Sequence, residues 1–187
     1  ATPTTPATTK IDFPGDTTAK VIGTNKIDTI IEIVSKDTAS GIYAGGFAGR
    51  ATGSEAARTT ISNFVIDAKI FISGETSASG KATLQNSYFG GFAGKLENVD
   101  LSEIATTGYI ATGSQYERAE YDQDGNLVKE ATYTKDTGLV DISKSYFGGI
   151  IGHGSKFSMA KSFSNINIEL YTYTANASHN TISNRLG

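Results

Sequence analysis

Asp122, Asp124 and Asn126 stand at alternate positions, D-x-D-x-N, and oxygen ligands spaced this way suit a calcium loop. Such a loop also needs its glycine two residues further on than Gly125 and a bidentate Glu at the twelfth place, where this chain has Tyr133. Asp124-Gly125 is instead a strong hairpin-turn dipeptide, so a turn is expected here and no metal site. The two histidines, His153 and His179, are far apart and lack the spacing of a zinc site. Asp67, Glu103 and Glu169 fall on the polar faces of successive strand-like segments and could meet as a ladder of carboxylates for sugar hydrolysis. Three stacked acids repel one another unless a cation such as Lys69 intervenes, so a solvated face is the expectation. No Gly-x-Ser-x-Gly elbow is present, and Gly45, Gly46 and Gly49 are not followed by the Lys-Ser/Thr of a phosphate loop. With no cysteine, thiolate chemistry is excluded as well. The residues therefore assign no catalytic group and no cofactor.

The elements that would position any site follow from an eight-residue stretch written three times. The copies are IYAGGFAG from Ile42, SYFGGFAG from Ser87 and SYFGGIIG from Ser145. Their tyrosines, Tyr43, Tyr88 and Tyr146, recur after 45 and then 58 residues, the mark of a repeat architecture. The Gly-Gly steps are expected to sit over one another in stacked coils, with the flanking aromatics stacked on their like. In this alignment His153 takes the place of Arg50 and Lys95, which predicts a solvent-facing polar residue.

Between these stretches lie segments that alternate with strand period. In 26–35, Ile27, Thr29, Ile31 and Ile33 share a face. In 60–73, Phe64, Ile66, Ala68, Ile70 and Ile72 share a face, opposite Asn63, Asp67 and Lys69. A weaker strand spans 101–112, with Ile104 and Ile110 in phase across Gly108; a last one spans 163–173 and carries Ile166, Ile168 and Leu170. The tetrapeptide Thr60-Ile61-Ser62-Asn63 returns as Thr181-Ile182-Ser183-Asn184, as if a further cycle began there.

A hydrophobic share of 38 % with 21 glycines suits many short strands and turns better than packed helices. The predicted fold is all-β: a short β-solenoid, a parallel β-helix of three to four coils with an inserted β-hairpin. An antiparallel β-sandwich is the alternative. Residues 1–10 read as a Thr/Pro-rich tether, 11–187 as the solenoid domain, and 113–144 as the hairpin insert. A formal charge of −3 without a basic stripe points away from nucleic acid, and no apolar run is long enough to enter a membrane. The chain begins at Ala1 without an initiator Met, so a mature product or a segment of a longer protein is expected.

The succession Gly-Gly-Phe-Ala-Gly, a polar spacer, and Thr-Ile-Ser-Asn leading into an alternating strand resembles GLUG-type repeats. These occur in large bacterial surface adhesins with autotransporter- or haemagglutinin-like passengers. Phe47 and Phe92 stand where Leu is usual in that family, and the spacers here are longer. The resemblance implies a β-helical, adhesive or stalk role at the bacterial cell surface or outside the cell. It supplies no ligand, and no catalytic residue carries over. The expected function is a non-enzymatic adhesin module that binds a host-surface protein or glycan through a loop. The alternative is a carbohydrate-active β-helix enzyme. The insert is the largest departure from the repeat, and its Tyr116, Arg118, Tyr121 and Tyr133 are the expected contact residues, because Tyr and Arg concentrate at binding hot spots.

Overall fold

The computed structural model describes residues 10–11, 20–21, 25–36, 38–75, 82–117, 119–135 and 138–172. They form an all-β structure with no helix among them. The first pair, β1 (Lys10–Ile11) and β2 (Lys20–Val21), is antiparallel. A first cycle follows: β3 (Asn25–Ser35), β4 (Thr38–Ser40), β5 (Tyr43–Gly45) and β6 (Ala48–Thr52). The second is β7 (Thr59–Gly74), β8 (Thr83–Gly90) and β9 (Ala93–Glu97). The third opens with β10 (Val99–Thr112) and departs into β11 (Ser114–Glu117), β12 (Glu120–Tyr121), β13 (Leu127–Lys129) and β14 (Thr132–Lys135). It closes with β15 (Asp141–Gly148) and β16 (Ile151–Ser155). β17 (Ser158–Ala160) and β18 (Phe163–Leu170) begin a fourth. The expected last strand reached 173; β18 stops at Leu170, and Tyr173, His179 and the 181–184 copy lie outside the described residues.

Apart from β1–β2 and the strands β11 to β14, each strand pairs in parallel with its counterpart one cycle away. The long strands form the order β3-β7-β10, with β17 and β18 both beside β10. The strands carrying the tyrosines form a second sheet, in which β4 and β5 both lie beside β8 and β8 beside β15. β6, β9 and β16 form the third.

Parallel registration turns the strand period into interior columns. Ile31, Ile70, Ile110 and Ile168 are successive partners, as are Ile33, Ile72, Thr112 and Leu170. Facing them, Ala44, Phe89 and Phe147 are buried on the tyrosine-bearing sheet, the two phenyl rings stacked 5.1 Å apart. Removing an Ile or Phe side chain of this kind from water stabilises by roughly 1.5–3 kcal/mol. Ile66, Ile70, Ile104 and Ile110 are fully enclosed, with Ile166, Ile168 and Leu170 packed against the two clusters from the last strand. Thr29 Oγ1 donates to Gly46 O at 2.9 Å and Thr106 Oγ1 to Gly149 O at 2.8 Å, whereas the buried Ser114 Oγ has no hydrogen-bond partner among the described residues.

A bend that hydropathy does not announce recurs once per cycle. Asn63, Glu103 and Lys161 all have positive φ, at 71°, 56° and 49°, and the pairing skips from Ser102–Ser62 to Ile104–Phe64 around them. The left-handed bend breaks the alternation expected to run unbroken through 60–73.

The Gly-Gly steps lie where backbone passes over backbone. Gly46 N donates to Gly91 O at 3.1 Å, and Gly91 N to Gly149 O at 3.2 Å. Gly46 and Gly91 are buried; Gly149, expected to be buried with them, is only half-buried, because no described strand lies on the far side of its cycle. A Cβ on Gly46 would sit 2.7 Å from Gly91 O, and one on Gly91 would collide with Gly149 O and the Ile166 side chain. Gly91→Val is therefore expected to destabilise the protein by about 2 kcal/mol or more, through overpacking against a neighbour that cannot move. Urea denaturation checks this; an unchanged midpoint would show that the strands part without cost at this step.

Candidate functional site

The departure between β10 and β15 is a two-tier antiparallel hairpin. Ser114, Gln115, Tyr116 and Glu117 pair with Lys135, Thr134, Tyr133 and Thr132, and Glu120 and Tyr121 continue against Lys129 and Leu127. D-x-D-x-N forms its tip, as a turn. Asp122 Oδ1 accepts from Asp124 N at 3.0 Å and Asn126 N at 2.8 Å, while Asn126 Nδ2 donates to Oδ2 at 3.1 Å. Gly125, with φ of +83°, donates its N–H to Asp122 O at 3.1 Å. Donation from the Asn126 side chain, then from backbone N–H groups, holds the Asp122 carboxyl below its ordinary 3.8. Lower down, Lys129 Nζ reaches Glu117 at 2.9 Å and Glu120 at 3.8 Å, and its hydrogen bond lowers the Glu117 carboxyl.

Of the four expected contact residues, Tyr121 projects into solvent and is 64 % exposed. Tyr116 and Tyr133 are direct backbone partners, which brings them to one rung. The placement of their side chains, and Arg118 altogether, falls outside the described residues. The hairpin also exposes Leu127 and Val128, at 51 % and 65 %. Sequence reading did not single these out as contacts. Their signal was the pair of aliphatics just beyond the Asp-Gly turn: a two-stranded ribbon has no second layer, so neither face hides them. At the root, Ser114 and Glu117 face Phe71, Ser73 and Glu32 across an open groove of about 270 Å³.

The three acids weighed for hydrolysis do not meet. Asp67 is level with Thr107 and Asn165, Glu169 with Ala111 and Phe71, and Glu103 occupies the bend opposite Asn63. Four residues of strand separate each level from the next, about 13 Å, beyond the carboxyl spacing of either hydrolytic geometry. Each acid has its own neighbour: Lys69 lies 3.2 Å from Asp67, Lys161 3.5 Å from Glu103, and Asn167 Nδ2 2.7 Å from Glu169.

His153 does align with Lys95 and Arg50. It is half-buried rather than solvent-facing, its ring 5.0 Å from that of Tyr88 and its Nδ1 sealed away without a hydrogen bond. Among the described residues no three His, Cys, Asp or Glu side chains converge as a metal group, and no helix is long and apolar enough to cross a membrane.

No protein-family model matches the chain, and comparison with curated proteins and with solved structures returns no match.

The Asp122 network sets a pH dependence for the tip. A carboxyl lowered by folding stabilises above its unfolded value, and the contribution is lost as pH falls through the lowered one. Amide exchange of Gly125 and Asn126 is expected to stay slow from neutral pH to about pH 5 and to speed up, beyond its intrinsic acid dependence, only well below that. Asp122→Asn should remove this step; a transition near neutral pH would assign the turn to another group.

Proposed function

We propose that the chain is a short parallel β-solenoid module of a bacterial cell-surface or secreted adhesin, a non-enzymatic scaffold that presents the 114–135 hairpin to a host-surface protein or glycan. The solenoid reading rests on the pairing of every long strand with its counterpart one cycle away, always in parallel. Hairpin-joined strands of a sandwich pair antiparallel. It fits the resemblance to GLUG-type repeats, and with it an extracellular setting within a larger protein.

The observation that carries the binding role is the exposure of Tyr121, Leu127 and Val128 on an antiparallel ribbon that departs from the parallel strands. Large apolar side chains cost solubility when exposed together, and a rigid turn lowers the ordering cost of presenting them. The carbohydrate-active alternative draws no support from Asp67, Glu103 and Glu169, which occupy separate levels.

The test is adhesion of protein-coated beads to host epithelial cells. The combined Tyr121→Ala, Leu127→Ala and Val128→Ala variant should keep its melting temperature, because none of the three contributes to the interior. Bead retention should fall at least about tenfold, the effect of losing one good hot spot. Undiminished retention by the folded variant would overturn the assignment to the hairpin.

A further inference from the structure

Tyr43, Tyr88 and Tyr146 form a column on the outside of the tyrosine-bearing sheet. Their chain neighbours Ala44, Phe89 and Phe147 point inward and are buried, so alternation sends the phenols out. Ring centres are 5.5 and 5.0 Å apart, with planes within 9° and 16° of parallel. Beside this column runs another, Arg50, Lys95 and His153, on the third sheet. The Gly-Gly corner folds the two columns together: Lys95 Nζ stands 5.9 Å from the centre of the Tyr43 ring, and His153 tilts against Tyr88.

The chemistry of this strip is anion-seeking. Stacking uses up both faces of Tyr88 and one face each of Tyr43 and Tyr146, and ring faces carry the negative part of the aromatic quadrupole. The positive edges and the hydroxyls remain for solvent. Burial, with the phenols of Tyr146 and Tyr43 on either side, pushes Tyr88 above its ordinary 10.0. Lys95 has no carboxylate partner among the described residues. Arg50 shares its charge with Glu97 at 3.3 Å. Each coil thus offers one phenol and one basic group, repeated at the strand spacing of about 4.8 Å.

We propose that this strip binds a linear anionic polysaccharide, its sulfate or carboxylate groups meeting successive Tyr and Lys/Arg/His rungs. A single exposed cation contributes little, but rungs engaged by one polymer act together. Single-stranded nucleic acid binds by laying bases on free aromatic faces, and here both faces of Tyr88 and one face each of Tyr43 and Tyr146 are taken by the stack. None of these residues belongs to the hairpin, so the site goes beyond the adhesive reading and stands or falls apart from it.

The experiment is calorimetric titration of the whole chain at low ionic strength with four probes: a heparin octasaccharide, an oligogalacturonate of the same length, maltooctaose and a single-stranded octanucleotide. At least one acidic glycan is expected to bind, and which one separates sulfate from carboxylate recognition; maltooctaose should not. Lys95→Glu combined with Tyr88→Phe, which keeps the ring stack, should weaken binding at least about tenfold. Lys95→Gln with Tyr88→Phe serves if the charge reversal lowers the melting temperature. The hairpin variant Tyr121→Ala, Leu127→Ala, Val128→Ala should bind as tightly as the unaltered chain. The proposal is overturned if neither acidic glycan binds, if maltooctaose binds as well, if the octanucleotide binds more tightly than both, or if the strip variants keep their affinity.

Discussion

Everything in this protein depends on backbone lying directly on backbone at the Gly-Gly corners. The hydrogen bonds from Gly46 to Gly91 and from Gly91 to Gly149 bring successive cycles to strand spacing at the point where the chain turns. With the corners fixed at that distance, the residues next to them, such as Ser145–Gly148 against Ser87–Gly90, stay level, and the register shifts only further back, around Lys144. A shift by one residue would exchange interior and exterior side chains along an entire strand. The isoleucine columns, the Phe89–Phe147 stack and the tyrosine column are consequences of that one close approach.

Columnar packing also explains how a chain of modest apolar content builds an interior. An isolated cycle would leave its inner face wet. Stacking gives Ile70 and Ile110 a like neighbour on both sides, and smaller Thr and Ser side chains of the interior find acceptors in the same arrangement. Ser145 Oγ, for example, donates to Leu84 O at 3.1 Å. The surface ion pairs contribute little by comparison: Arg50–Glu97 and Lys161–Glu103 are largely solvated and screened. Their value is in keeping charge on the outside of each strand.

The same geometry divides the surface into two kinds of display. Beyond its root at Ser114, which is buried, the hairpin escapes the columns, and its strands there pair with each other and are closed by the Asp122 turn. The tyrosine–cation strip is part of the columns and repeats because they do. A scaffold of this type can change its hairpin without disturbing its faces, which gives the proposed adhesive and glycan-binding roles separate physical bases.

The sequence by itself determined the local elements. Alternation in Ile27–Ile33 and Phe64–Ile72 requires strands with one buried face, Asp124-Gly125 requires a hairpin tip, and the thrice-written glycine stretch requires equivalent corners. These are short-range demands, met by side-chain period and by backbone conformations that few residues tolerate. The tertiary structure alone decided which residues share a level. Asp67, Glu103 and Glu169 look equivalent along the chain, yet occupy three levels, because the register between cycles sets Asp67 beside Thr107, Glu169 beside Ala111, and Glu103 at the bend. Likewise, nothing local to Tyr43 or Tyr88 announces that Lys95 and His153 will reach them. That meeting arises across the corner, between different sheets, and it exists only once the backbone hydrogen bonds between cycles have fixed both offset and turn.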